Sequence, residues 1–231
     1  MTKPYEVSYP AKSIGRIHLI LLTVGFAVNA ATAVFTAIYV YDFETYMNLY
    51  FGIDQSLIVF ATALYYVVLA TYFIWLVQVH GSLRRRYPDY RISNAGAIVR
   101  MLPLVNLWGI GSTFSQIGGY LYRRQAAARF AKLVHGLIVP LYIVVFVGNS
   151  INRLLLRNPE GASDALYLTG AVIDVAAMAV YLAMTLAIDR GLRLHYAEAN
   201  DQESSERSEP FEPYAAFIEP SSAASVPSDP R

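Results

Sequence analysis

The sequence predicts an all-α fold: a polytopic membrane helix bundle of four transmembrane helices, with a broken cytoplasmic segment, interfacial or re-entrant, between spans two and three. Three observations predict it. Four apolar stretches, residues 17–41, 56–79, 133–150 and 165–188, each lie near the ~20 residues that cross ~30 Å of hydrocarbon at ~1.5 Å per residue. The chain is 55% apolar and 15% charged, against about 45–50% and 25% in soluble proteins. The basic residues are also segregated. Of the 18 Lys and Arg, all but Arg153 and Arg157 fall before span one, between spans two and three, or after span four. Because cytoplasmic loops retain Lys and Arg, both termini are expected in the cytoplasm.

Taken in order, the elements follow from the same rules. About 15 mostly polar residues precede span one, whose apolar run is too long for a signal-peptide core, so it reads as an uncleaved anchor. The loop after it carries Asp42, Glu44 and Asp54 and no basic residue, as an outer loop should. Span two ends before Arg84, Arg85 and Arg86. Residues 95–121 are apolar enough to suggest a fifth crossing, but a crossing would put the 84–91 and 123–132 basic clusters on opposite faces. Pro103, Asn106 and four glycines also interrupt the run. Irregular backbone at membrane depth survives only where protein or water satisfies it, so this segment is expected to lie in the interface or to dip in and return, with Trp108 at headgroup level. Spans three and four close the membrane domain near residue 197. Residues 198–231 are acidic and rich in Ser and Pro, a composition that predicts a disordered cytoplasmic tail. Within it Phe211, Tyr214 and Phe217 form an aromatic island suited to docking on a partner.

Trp75, then Arg84-Arg85-Arg86-Tyr87-Pro88, then Met101-Leu102-Pro103-Leu104-Val105-Asn106-Leu107-Trp108 resembles a bacterial family of small multi-span membrane proteins known as a domain of unknown function. The resemblance covers about 50 residues. It implies a shared membrane architecture, in a bacterial cytoplasmic membrane, and carries no activity, substrate or cofactor. A second regularity is internal. Lys12 and His18 match Arg129 and His135 in spacing, and Leu83-Arg84-x-x-Tyr87 matches Leu192-Arg193-x-x-Tyr196, as two duplicated hairpins would. Reuse of Arg and Tyr at membrane interfaces accounts for the same pattern.

The chemistry-bearing residues are few. Asp174 stands within span four, where an ionisable side chain costs about 2.5–3.5 kcal/mol and should face the bundle interior. Asn29 and Thr32 on span one and Tyr65 and Tyr66 on span two reach similar depths, and Arg153 at the outer edge is placed to snorkel toward Asp174. This set reads either as an ion or small-ligand site or as interhelical hydrogen bonding. His18 and His135 invite a haem-ligand reading, while His80 and His195 fall at or beyond the membrane edge, where a histidine is ordinarily solvated. Arg84, Arg85, Arg86, Arg123 and Arg124 are candidates for anionic lipid headgroups, or simply set topology. With no cysteine, disulfides, thiolate metal sites and palmitoylation are excluded. No serine-nucleophile elbow, zinc-protease, phosphate-loop or dinucleotide signature is present. No cofactor and no nucleic-acid partner is expected. The sequence therefore favours a non-catalytic membrane subunit, sensor or scaffold, self-associating or part of a larger complex, with alanines such as Ala30, Ala61 and Ala177 allowing close packing. A small transporter or channel built on Asp174 is the alternative, and a haem protein or other membrane enzyme the third reading.

Overall fold

A computed structural model of the chain describes residues 9, 11–101, 106–158 and 161–208, with the side chains of 106–108 and 202–208 left aside. Helices dominate and no strand occurs among the described residues. In chain order they are α1 (Lys12–Tyr41), α2 (Phe43–Thr45), α3 (Phe51–Arg86), α4 (Asn94–Val99), α5 (Asn106–Leu121), α6 (Ala128–Arg157) and α7 (Asp164–Ser208). Four helical stretches, Lys12–Tyr41, Phe43–Arg86, Gln125–Arg157 and Asp164–Asp201, are long and apolar enough to cross a membrane. They coincide with the four predicted spans and extend well past them.

The first outer connection is helical where a loop was expected. Asp42 forms a one-residue corner, and its carboxylate accepts from the Thr45 backbone N–H at 3.0 Å, capping α2. A π-helical turn, Tyr46–Tyr50, then runs straight into α3. Asp54, expected in solvent, is instead buried within α3, where it accepts a 2.7 Å hydrogen bond from the Tyr46 hydroxyl. The far end of the chain departs in the same sense, since α7 continues through residue 198 to Ser208. The aromatic island at 211–217 lies outside the described residues.

The long helices pack in the order α3, α1, α7, α6, with α5 lying along α6. Two of their crossings are closed by glycine, alongside half-buried alanines such as Ala30, Ala61 and Ala177. A Cβ on Gly25 would stand 2.6 Å from the Met178 methyl, and one on Gly170 3.2 Å from Ile151. Those close approaches give van der Waals contact where apolar burial alone provides no drive in lipid. Ala176 and Ala177 pack against the core, whereas Ala63 and Ala179 are exposed.

The 95–121 segment is broken as expected, but it does not lie apart from the bundle. Ser93 caps α4, its hydroxyl accepting from the Gly96 N–H at 3.0 Å. α4 then runs antiparallel to α3: Asn94 lies beside Gly81, and Met101 is reached by the Tyr72 hydroxyl at 3.4 Å. α5 runs antiparallel to α6, with the Gly111 N–H donating to the Tyr142 hydroxyl at 2.9 Å and Gly118 lying under the His135 ring. α4 and α5 thus form a helical hairpin standing between α3 and α6. One face of α5 is apolar, with Ile110, Phe114, Ile117 and Leu121 at helical spacing and at most 3% exposed. That face packs with Trp75, Leu76, Val79 and Leu83 of α3, Val134 and Leu141 of α6, and Met184, Ile188 and Leu192 of α7. The core therefore sits at the end of the bundle that carries the arginine clusters. The opposite halves of the long helices are mostly exposed and apolar, as with Val59 at 72% and Phe146 at 67%.

Candidate functional site

The polar set predicted for the outer half of the bundle does not assemble. Asn29 spends its amide on its own helix, donating to the Gly25 carbonyl at 2.8 Å. Tyr65 and Tyr66 are 61% and 64% exposed and touch each other edge to face. Tyr65 is also within electrostatic reach of Tyr181 on α7. Arg153 is exposed and makes no ion pair with Asp174 among the described residues. Asp174 itself is exposed, in an apolar stretch of α7, with no hydrogen-bond or ion-pair partner among the described residues. Such a carboxylate is costly anywhere in hydrocarbon.

The polar side chains converge at the other end. Asp189, 2% exposed, accepts from the Arg193 guanidinium at 2.7 Å, one turn along α7. Its second oxygen is buried with no hydrogen-bond partner among the described residues, and the Trp75 indole N–H and the Tyr9 hydroxyl are buried beside it and interact with each other. Three elements bring them to one place because Gly15 lacks a side chain: a Cβ there would stand 2.7 Å from Asp189 Oδ1 and 3.4 Å from Trp75 Nε1. Burial, with the Asp189 carboxylate beside it, pushes the Tyr9 hydroxyl well above its usual range. His18 completes the group, stacked on Trp75 with ring centroids 5.6 Å apart and paired through Nδ1 with the Thr71 hydroxyl at 3.1 Å. The Thr71 hydroxyl also lies 3.0 Å from the Val67 and Val68 carbonyls.

Beside this nest lies an aromatic and histidine layer. His80 and His195, expected to be solvated, are 0% and 1% exposed, because α5 and the chain after α3 cover them. His80 Nδ1 pairs closely with the Tyr90 hydroxyl, and His195 Nε2 pairs with Tyr87 at 2.9 Å. The Tyr196 hydroxyl donates to the Ser82 carbonyl at 3.1 Å, tying α7 to α3. Outside, Arg123 lies over the Tyr120 ring at 4.2 Å and bridges to Asp89 at 2.7 Å. That bond holds the Asp89 carboxyl below its ordinary range.

The remaining candidates are dispersed. His18 faces α3, whereas His135 bonds its own helix at the Ala131 carbonyl (2.9 Å) and stands against Gly118 of α5, so the two do not oppose each other as haem ligands would. Among the described residues no group of three or more His, Asp and Glu can hold a metal ion. Of the headgroup candidates, Arg84 and Arg85 are exposed, Arg86 and Arg124 are half-buried, and Arg123 is committed to Asp89. Pro103 lies outside the described residues, and Asn106 and Trp108 form the first turn of α5.

Sequence reasoning passed over Asp189, Tyr9 and Tyr90 and read His80 and His195 as solvated, since each borders an arginine or a polar run. A signal for Asp189 was present. Asp174, Met178, Tyr181, Thr185 and Asp189 recur at spacings of four, three, four and four, one stripe along α7. Compared with known proteins, the chain matches no protein-family model, no curated protein and no solved structure.

Proposed function

We propose that the chain is a non-catalytic subunit, sensor or scaffold of the bacterial cytoplasmic membrane that assembles through its spans, with both termini in the cytoplasm. The positive-inside distribution supports this orientation. The antiparallel registers of α4 on α3 and α5 on α6 support a re-entrant hairpin: it reaches Tyr72 and Tyr142, which lie about 18 Å along α3 from Arg84 and about 15 Å along α6 from Lys132 at ~1.5 Å per residue. A hairpin that enters and returns keeps both arginine clusters on one face.

The observation that carries the assembly reading is Asp174, an exposed and unpartnered carboxylate in an apolar stretch. Lipid cannot satisfy it, and a helix from a second copy or from another subunit can. Interhelical polar bonds in membranes are worth about 0.6 and at most about 1.7 kcal/mol, so Asp174→Leu should weaken assembly by roughly three- to twentyfold. Asp174→Asn, still able to hydrogen-bond, should keep part of it. Native mass spectrometry from nanodiscs reads both, and assembly unchanged in both variants would end this reading.

A small transporter or channel is the second reading, favoured by Asp189. A pathway needs more than one ionisable residue, and Asp174 and Asp189 lie on one stripe of α7 with Tyr181 and Thr185 between them. Loss of ion flux in proteoliposomes of an Asp174→Asn protein that assembles normally would replace the first reading by this one.

A further inference from the structure

Arg100 ends α4 at the tip of the hairpin, far from the basic clusters on either side of it. Its guanidinium donates to the Ser112 hydroxyl at 3.2 Å, a bond on the exposed flank of α5. Ser112 lies one residue past Gly111, which bonds Tyr142, about ten residues beyond Lys132 and hence ~15 Å into α6 at ~1.5 Å per residue. On the re-entrant reading, Arg100 therefore holds a full charge inside the apolar thickness. Among the described residues no carboxylate pairs with it.

Its position is fixed by backbone. A Cβ on Gly109 would stand 1.7 Å from the Arg100 carbonyl oxygen, so glycine alone admits the approach that sets the guanidinium beside Ser112. The same flank combines small polar and apolar surface. Ser112, Ser115 and Gly119 are exposed on one face of α5, and Ile98 and Val99, just before Arg100 on α4, are 39% and 49% exposed. His80 and Tyr90 lie within electrostatic reach of Arg100, and neither supplies a negative charge. A charged arginine that is reachable, lacks a carboxylate and stands beside hydroxyl and alkyl groups is complementary to one class of molecule, an anionic lipid with its phosphate drawn below the headgroup plane.

We propose that Arg100 and Ser112 bind the phosphate of one anionic phospholipid of the cytoplasmic leaflet. This rests on the re-entrant placement of α4 and α5, which cysteine accessibility tests separately.

The test uses the full chain in nanodiscs of phosphatidylcholine doped with phosphatidylglycerol, released into mild detergent and weighed by native mass spectrometry. Wild type should retain one phosphatidylglycerol. Arg100→Gln should lower that retention about fivefold or more, the equivalent of ~1 kcal/mol per basic residue. Arg100→Lys should keep most of it, and Ser112→Ala should lose part. Arg157→Gln, at the opposite end of α6, should leave it unchanged. Equal retention in Arg100→Gln, or equal loss in Arg157→Gln, overturns the site. Displacement of the retained lipid by millimolar inorganic phosphate would overturn a lipid as its occupant. Circular dichroism and thermal unfolding identify a variant that fails to fold, in which case Ser112→Ala and Arg100→Lys decide.

Discussion

At the scale of single residues, the Asp189 and Arg193 pair is the sharpest commitment of charge in the molecule. Asp189 is buried and Arg193 about one-third exposed, so removing the cation leaves a carboxylate in a low-dielectric site. Arg193→Met should cost about 3 kcal/mol, whereas the double change Asp189→Asn/Arg193→Met should recover most of that loss. Thermal unfolding in one detergent measures both, and a double variant no more stable than the single would show that the charge is not what matters. Gly15 is bound to the same site, because a methyl group there must displace Asp189 Oδ1. The exposed pair of Asp89 and Arg123 behaves differently. Arg123 lowers the folded-state pKa of Asp89 below its unfolded value of about 3.9. Its contribution is therefore present above that value and is lost as pH falls through the folded-state pKa. An acid titration of tyrosine emission should show the Arg123 clasp on Tyr120 and Tyr87 opening below about pH 4. Asp89→Asn should remove that transition.

At the scale of elements, Gly109 is the most constrained position of the α4 and α5 hairpin, on which the proposed topology turns. The atom that a Gly109 side chain would meet is backbone, which cannot swing away as a side chain can. Gly109→Ala should therefore undock α4 from α5 and lower stability by more than the ~1–3 kcal/mol of ordinary overpacking. Gly119, with open space around it, should accept alanine at no cost, and the contrast in unfolding temperature checks both. The absence of native cysteine makes topology directly testable. Cysteines at Arg91 and Tyr122 should both react with an impermeant maleimide from the cytoplasmic side, and a reagent reaching only one of them from that side would restore a fifth crossing. The four apolar helices were legible because ~20 residues of unbroken hydropathy have few other meanings. Their extensions were not, since Arg84–Arg86 and residues 189–208 are polar and yet helical. Asp174 was legible as a charge within an apolar run. Asp189, His80 and His195 were not, because hydropathy falls where they stand and it is the packing of Tyr9 and of the chain after α3 that covers them.

At the scale of the whole molecule, the two halves of the bundle are held by different physics. Toward the arginine-bearing end, α5 fills the space between α3, α6 and α7 with interlocked side chains, and buried polar groups tie the helices together. Away from it, α3 and α6 do not pack side by side, and the apolar surface of the long helices turns outward. Apolar surface that meets lipid gains nothing by being covered, whereas a void in a packed interior forfeits its contacts. Substitution costs should divide along that line. Ile117→Ala and Leu192→Ala, at fully buried positions, should each cost about 2–5 kcal/mol. Val59→Ala and Ile143→Ala, at 72% and 56% exposure, should each stay within about 0.5 kcal/mol in a bilayer. Denaturation of the variants in nanodiscs measures the four values. Equal costs in the two halves would mean that a further protein surface covers Val59 and Ile143. Such a surface would then be expected to dissociate together with assembly in Asp174→Leu.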